Sequence, residues 1–546
     1  MSHPDRNTQR ITSTVLSALR GIDVPPSSYI LARWLFLRLL GLVFLIAFIS
    51  MWVQNDGLIG RHGILPVEDY LERAHAVIGA TAYWAVPSLC WIDAGPVMLH
   101  GLCAAGTTLA VLVMLGVAPG PILLLLWVTY LSLVTVGQDF YSFQWDILLL
   151  ETAFLAMFFV SWSGRCRLAR PTPESRAGRW LLWLLLFKLM VLSGVTKLLS
   201  GDLLWANLSA LSVHYETQPL PTWVGWHAHQ LPAGWQKFSV GVMFIIEIGL
   251  PMLIVAPRRL RHLSGVGLVL FQAAIAATGN YCFFNCLTIV LCVPLFDDHL
   301  LRRLIPARFI GGIQSPPTSQ SRPVRRILIV AVALAVALAS IVSFFDEMVS
   351  TWRRQQKAVA QGAELAPIPA GIATVLDLSD RLLLSWGKPK IQHWIIPFRT
   401  INGYGLFRSM TNPRPELIIE GSIDGSTWKA YEFRWKPGDV KRRPRYVAPH
   451  QPRLDWQMWF AALNPRGSRW LIPLLDRILD GSPQVLNLLA NNPFPDRPPR
   501  HIRLVLYEYR FTDAATRRST GAWWQRKLLG RFQSRSATRR EPNLNK

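Results

Sequence analysis

The 546-residue sequence predicts an α-helical polytopic membrane bundle of eight or nine spans, followed by a β-rich, sandwich-like extracytoplasmic domain. Three observations carry this reading. Hydrophobic residues make up 51% of the chain and charged residues only 16%, with a mean hydropathy of +0.26, a balance outside that of ordinary soluble domains. Apolar runs suited to a hydrocarbon core about 30 Å thick, which takes about 20 helical residues, recur through the first two-thirds of the chain. Past residue 346 they give way to short alternating segments broken by Gly, Pro and Asn.

Residues 1–30 are polar and form a cytoplasmic N-terminal tail. No cleavable signal peptide is evident, because the first apolar run is itself long enough to span. The membrane domain, 31–345, contains runs at 33–53, 96–117, 121–136, 147–163, 180–200, 237–256, 264–279, 283–296 and 327–345. The run at 283–296 is the weakest and reads as re-entrant or tilted. Basic residues cluster at Arg6, Arg10 and Arg20, at Arg165, Arg167, Arg170, Arg176 and Arg179, at Arg258, Arg259 and Arg261, and at Arg302, Arg303, Arg308, Arg322, Arg325 and Arg326. If nine spans alternate, all four clusters fall on one side, which the positive-inside rule makes cytoplasmic. The segments 54–95, 201–236 and everything beyond about 346 then lie outside. Much of the net charge of +24 is topological in this way. It suits anionic lipid headgroups, and no nucleic-acid partner is expected, since no binding motif accompanies it.

Residues 311–323, "GGIQSPPTSQSRP", form a polar linker. The outer domain, 346–530, has a hairpin signal at Asp424-Gly425-Ser426 between two β-rich runs. "RHIRLVLYEYRF" alternates, with Ile502, Leu504, Leu506 and Tyr509 as its buried set, and "DWQMWFAAL" reads as a short helix or an aromatic-rich packing segment. The stretch with Trp523, Trp524, Leu528 and Leu529 reads as a surface helix on lipid headgroups, and 531–546 as a basic, partly disordered tail. None of the six cysteines lies beyond the last span, so this domain has no disulfide framework. Cys282 and Cys286 share a face if their stretch is helical, and inert thiols are the default reading.

Ionisable residues inside spans cost at least about 2.5 to 3.5 kcal/mol each, so they need partners. At 1.5 Å per residue, Glu151 lies roughly 7 Å and Lys197 roughly 5 Å below the outer boundary, while Lys188 and Glu247 lie roughly 12 to 15 Å from one. Matching depths pairs Glu151 with Lys197 and Glu247 with Lys188; for Lys197, snorkelling to the interface is the alternative. Asp139 and Asp146, flanked by Phe140, Tyr141, Phe143 and Trp145, read as a water-facing outer loop with an aromatic belt. His214, Tyr215, Glu216, His227 and His229 are candidates for a polar cluster with those acids. No metal and no cofactor is expected, because His227-x-His229 alone supplies too few ligands for zinc, and no G-x-S-x-G is present. Asn207-Leu208-Ser209 fits a glycosylation acceptor.

Several long stretches are specific enough to compare with a family: "GQDFYSFQWDILLLETAFLA", "KLMVLSGVTKLLSGD" with "HYETQPLPTWVGWHAHQLP", "NYCFFNCLTIVLC", "INGYGLFRSMT", "IEGSIDGSTWKAYEF", "PHQPRLDWQMWFAAL" and "NPFPDRPPRHIRLVLYEYRF". In these the chain resembles the lipase maturation factor family over nearly its whole length. The resemblance implies an integral membrane protein that helps lipases fold and assemble, with its C-terminal domain outside the cytosol. Its implied partners are the bilayer and a client such as a secreted lipase. An arginine-rich composition favours a bacterial inner membrane; in a eukaryote the location is the endoplasmic reticulum membrane. Trp428, Trp435, Trp456 and Trp459 are candidate client contacts.

Residues 193–205, "SGVTKLLSGDLLW", resemble the G-x-x-K-L region of the vitamin K-dependent gamma-carboxylase (HTTM-like) membrane region, where the lysine is a base. The alternative function is therefore a membrane-embedded enzyme with Lys197 as general base, oriented by Glu151, and with His214 in acid/base transfer. Transport through Glu247 and Lys188 is a third class. Convergence of Glu151, Lys197 and His214 on a cavity favours chemistry; a filled bundle favours a scaffold.

Overall fold

The apolar runs fold as nine helices in a computed structural model that describes residues 28–162, 175–310, 323–385, 387 and 395–536. The N-terminal tail, Arg165, Cys166, Arg167, Arg170, the linker 311–322 and the tail beyond 536 lie outside the described residues. Seven helices are long and apolar enough to cross a membrane: α1 (Ile30–Trp52), α2 (Pro96–Leu115), α3 (Pro119–Val136), α5 (Arg176–Leu199), α6 (Ala233–Val255), α7 (Arg258–Thr278) and α9 (Pro323–Ala360). The other two, α4 (Gln144–Phe159) and α8 (Phe284–Leu295), are shorter. At 1.5 Å per residue α4 rises only about 24 Å. It is buried along nearly its whole length, and its outer end meets protein rather than headgroups.

Helix α5 is central, packing on α4, α8, α9 and α6. Close approach is set by small residues: a Cβ at Gly194 would lie 2.6 Å from Ile248 of α6. At that level α6 carries a π-helical turn, Ile245–Gly249, which includes Glu247. Helix α9 has 38 residues, about 57 Å of rise, far more than a bilayer requires. It continues well past residue 345 and is followed by α10 (Ala370–Ser379), so helix rather than strand opens the predicted outer region.

The β region is smaller than a sandwich. Among the described residues it is one four-stranded antiparallel sheet, β1 (Arg414–Ser422), β2 (Lys429–Tyr431), β3 (His501–Phe511) and β4 (Trp524–Ser536), in the order β2-β1-β3-β4. Helices α11 (Arg453–Leu463) and α12 (Leu471–Leu479) complete it. The predicted hairpin joins β1 to β2, with Gly421 opposite Lys429 and Gly425 at φ +77° in the turn. The segment predicted as a lipid-surface helix is strand β4, paired with β3 along that strand's whole length. A strand explains its composition better: Trp524 packs on Tyr509 and Phe511, while Arg526, Lys527 and Arg531 put charge on an edge strand, a guard against edge-to-edge association.

Four loops at one end of the bundle touch this region. Gln54 accepts from the Arg453 amide, Phe140 from the Arg453 side chain, and Gln218 from Arg414. Asn280 Oδ1 accepts from the Val447 amide at 2.8 Å. These are the loops that an alternating nine-span topology puts on one side. At the opposite end, Asp298 accepts from the amides of Ile30 and Leu31 at the start of α1, and Asp297 pairs with Arg258.

Candidate functional site

Both lysines of α5 are buried and both are paired, with partners exchanged relative to the depth match. Lys188 Nζ donates to Glu151 Oε1 at 2.5 Å, and Lys197 Nζ contacts both Glu247 oxygens, at 2.9 and 2.7 Å. The reason is angular. The two lysines are nine residues apart on a helix of 3.6 residues per turn, which is two and a half turns, so they point to opposite sides, one to α4 and one to α6. Side chains also tilt toward their helix N-terminus. Lys197 therefore reaches back along α5, bonding the Ser193 carbonyl at 3.0 Å, and does not snorkel. Glu247, on the antiparallel α6, tilts the other way to meet it.

The second oxygen of Glu151 is capped from outside the bundle. Oε2 accepts from the Asn402 amide (2.9 Å), Asn402 Nδ2 (3.0 Å) and the Tyr404 hydroxyl (2.7 Å). A segment remote in sequence thus completes the solvation of a fully buried carboxylate.

Asp146, expected in water, is fully buried. Arg453, at the start of α11, holds it in a bidentate pair at 2.8 and 3.0 Å, and Tyr130 donates to it at 2.6 Å. The guanidinium lies 3.9 Å from the Tyr141 ring centroid. The planar fork matches a carboxylate, which makes such pairs strong and directional. The aromatic belt around it is packing surface: Trp145 stacks on Phe143 and meets Trp456 edge-on, with centroids 4.7 Å apart in each case. Trp456 and Trp459 are buried in this seam, the latter bonded to the Thr217 carbonyl, which removes both as client contacts.

A second buried arginine, Arg414, donates to the carbonyls of Glu216 (2.8 Å) and Pro219 (3.0 Å) while paired with Glu416. Glu216 Oε2 accepts from the Phe511 amide at 2.9 Å and lies 3.7 Å from His229. The predicted polar cluster otherwise disperses. Asp139 and His227 are exposed, the latter against Trp223 and Trp226, and Tyr215 lies near His214. Among the described residues no three metal-ligating side chains converge. Cys282 takes a left-handed conformation, φ +55°, ahead of α8; it is buried while Cys286 is exposed, so they share no helix face.

His214 stands apart, beside Lys197 on a cavity from which Glu151 is absent. Gln218 Nε2 donates to two carbonyls, so its Oε1 accepts from the Tyr281 hydroxyl at 2.8 Å. With that proton used, Tyr281 can only accept from His214 Nε2 at 2.8 Å. The network thus assigns the Nε2–H tautomer and leaves Nδ1 as a lone-pair nitrogen without a partner among the described residues. Enclosure, with Lys197 adding to it, pushes the imidazole down to about 4. Its exposure is to the cavity, not to bulk water. Lys197 has its ammonium bonded to Glu247 and Ser193, the arrangement of an ion-pair partner and not of a base presented to substrate.

Both halves of the seam correspond to known family domains. The lipase maturation factor transmembrane domain matches residues 31–303 and the lipase maturation factor C-terminal domain matches residues 400–534. The chain belongs to the lipase maturation factor family. Lipase maturation factor 2 of Xenopus laevis is 35% identical over an alignment of 587 positions, covering 92% of this chain and 82% of that protein. The Homo sapiens form is 34% identical with the same coverage, and lipase maturation factor 1 of Mus musculus is 32% identical over 92% of this chain and 86% of its own. No solved structure matches. This lipase maturation factor family member is thus an integral membrane protein whose two family domains meet at Asp146–Arg453 and Glu151–Asn402.

Sequence reasoning missed Arg453, Arg414, Asn402 and Tyr404, which carry that junction. Each sits in or beside a stretch that resembles the family, yet nothing local marks an arginine or asparagine as buried.

Proposed function

We propose that this protein assists the folding or assembly of secreted lipases, or of other exported proteins, at the membrane. The observation that carries the reading is the extent of family membership: relatives named lipase maturation factors align across 92% of the chain, with both family domains present. The charge distribution supports a cytoplasmic position for the bundle end carrying Arg258, Arg259, Arg302 and Arg303, with the sheet on the other side. That side is the periplasm for a bacterial inner membrane and the lumen for the endoplasmic reticulum. A client then meets a domain beginning near residue 346 and held to the bundle by buried bidentate contacts, a fixed surface rather than a tethered one. Of the four tryptophans considered, only Trp428 and Trp435 remain partly accessible for contact.

The test is complementation. In cells lacking their own lipase maturation factors, expression of this chain raises the activity of a secreted lipase in the medium without changing its synthesis. Normal membrane levels of the protein with no gain in active lipase overturn the reading.

A further inference from the structure

Between α5, α6 and α7 lies a cavity of about 530 Å³, within the size range of small-molecule sites. Its walls are apolar, with Met243 and Ile246 from α6, Phe271 and Ile275 from α7, and Leu189 from α5. Helices α6 and α7 are tight toward the end away from the sheet. There Ser264 donates to the Leu250 carbonyl at 2.7 Å, and the tip of the Leu250 side chain packs over Gly267. Nearer the sheet, Phe238 and Leu270 line the cavity yet are 62% and 65% exposed. Both lie in membrane-spanning helices. The opening is therefore lateral, between α6 and α7, and faces hydrocarbon.

The polar wall decides what enters. Lys197 and Glu247 are each about 95% buried and neutralise one another in a bidentate pair. Among the described residues that line it, an anionic head finds no free cation and a cationic head no free carboxylate. Beside that pair the wall offers acceptors that carry no proton of their own, the spare lone pairs of Glu247, which among the described residues accepts only from Lys197, and His214 Nδ1, together with the neutral hydroxyls of Tyr215 and Ser239. A hydroxyl is the group that satisfies acceptors without bringing charge.

We propose that this cavity binds a neutral, hydroxyl-bearing single-chain lipid, which enters sideways between α6 and α7, lays its aliphatic chain along Met243 and Phe271, and donates its hydroxyl to the Glu247–His214 wall. The π-turn at Ile245–Gly249 serves the site by presenting Glu247 at the level of Lys197; such bulges recur at functional positions. This assignment does not rest on the client reading above, since it concerns the membrane face of the bundle.

The test uses the full-length protein in phosphatidylcholine nanodiscs with a diazirine-bearing monoacylglycerol, and the matching diazirine-bearing fatty acid as the charged comparison. Photolabelling is mapped by peptide. The expected result is monoacylglycerol label concentrated on the cavity walls at Met243 and Phe271. It falls about tenfold, some 1.4 kcal/mol of binding, in Val242→Trp, which fills the cavity, and in Ala274→Trp, whose exposed rim position blocks access without entering the core. Leu125→Trp, on a lipid-facing stretch of α3, leaves it unchanged. Label spread evenly over all lipid-facing helices, or indifferent to both cavity variants, overturns the site. Equal cavity labelling by the fatty acid overturns the neutral-head assignment.

Discussion

Lys188 and Lys197 show how the partner of a charge in the membrane is chosen. Depth narrows the candidates, and helical azimuth decides among them: two and a half turns on α5 send one lysine to Glu151 and the other to Glu247. Breaking a buried pair by removing one partner leaves an uncompensated charge, at a cost of about 3 to 5 kcal/mol. Lys188→Met is therefore expected to lower the thermal midpoint of the purified protein strongly, and Glu151→Gln combined with it to recover most of the loss. The combination Glu151→Gln with Lys197→Met is expected to show additive losses, because those two residues belong to different pairs. A double-mutant cycle in detergent reads this directly, and coupling across 151 and 197 in place of 151 and 188 would refute the pairing.

At the scale of elements, small residues set how closely helices approach. A Cβ at Gly106 of α2 would run into the Phe48 ring of α1, and one at Gly41 would come within 2.7 Å of Met114. Membrane helices associate through such small-residue contacts because lipid supplies no hydrophobic drive between them. Gly106→Leu is expected to destabilise by about 1 to 3 kcal/mol or more through overpacking. Gly101→Leu on the same helix, with nothing within 4 Å of its Cβ, is expected to be neutral in a thermal-shift measurement. In the sheet, element-scale features also override local pattern. The β1–β3 register is unbroken, and β3 is covered on both faces: Ile502 and Leu504 are buried on one, and Val505, Tyr509 and Phe511 on the other, the last two packed with Trp226, Trp523 and Trp524, while Leu506 is only half-buried. An alternation read as one buried face could not anticipate that packing covers both.

For the whole molecule, the docking seam contains two histidines held neutral. His450 Nδ1 lies 3.0 Å from Ser50 Oγ of α1. Burial, helped by Arg453 and Arg434, pushes it down to about 4, as enclosure does for His214 against Phe407. Freed histidines titrate near 6.5. Between about 6.5 and about 4 the undocked chain therefore binds more protons than the docked one, and docking weakens as pH falls through that window and is unaffected above it. At pH 5 the loss is about 2 kcal/mol per histidine. The expected outcome is a thermal midpoint that drops between pH 7 and pH 5, with a shallower drop in His450→Gln. Equal slopes would show that His450 does not sense the seam.

Sequence alone determined the nine apolar segments, the grouping of their basic ends and the β-rich character of the C-terminal region, because hydrocarbon thickness and strand alternation act over a few neighbouring residues. It also marked Glu151, Lys188, Lys197 and Glu247 as residues in need of partners, since a charge in an apolar run is costly wherever the chain goes. Which acid meets which lysine, why Asp146 is buried on Arg453, and that Asn402 and Tyr404 complete the solvation of Glu151 were decided by tertiary structure alone. Asp146 and Arg453 are 307 residues apart and Glu151 and Asn402 are 251 apart. Asp146 and Arg453 are locally ordinary polar residues in the first turns of their helices and Asn402 an ordinary loop residue, and only the docking of the C-terminal region onto the bundle brings them to their buried partners.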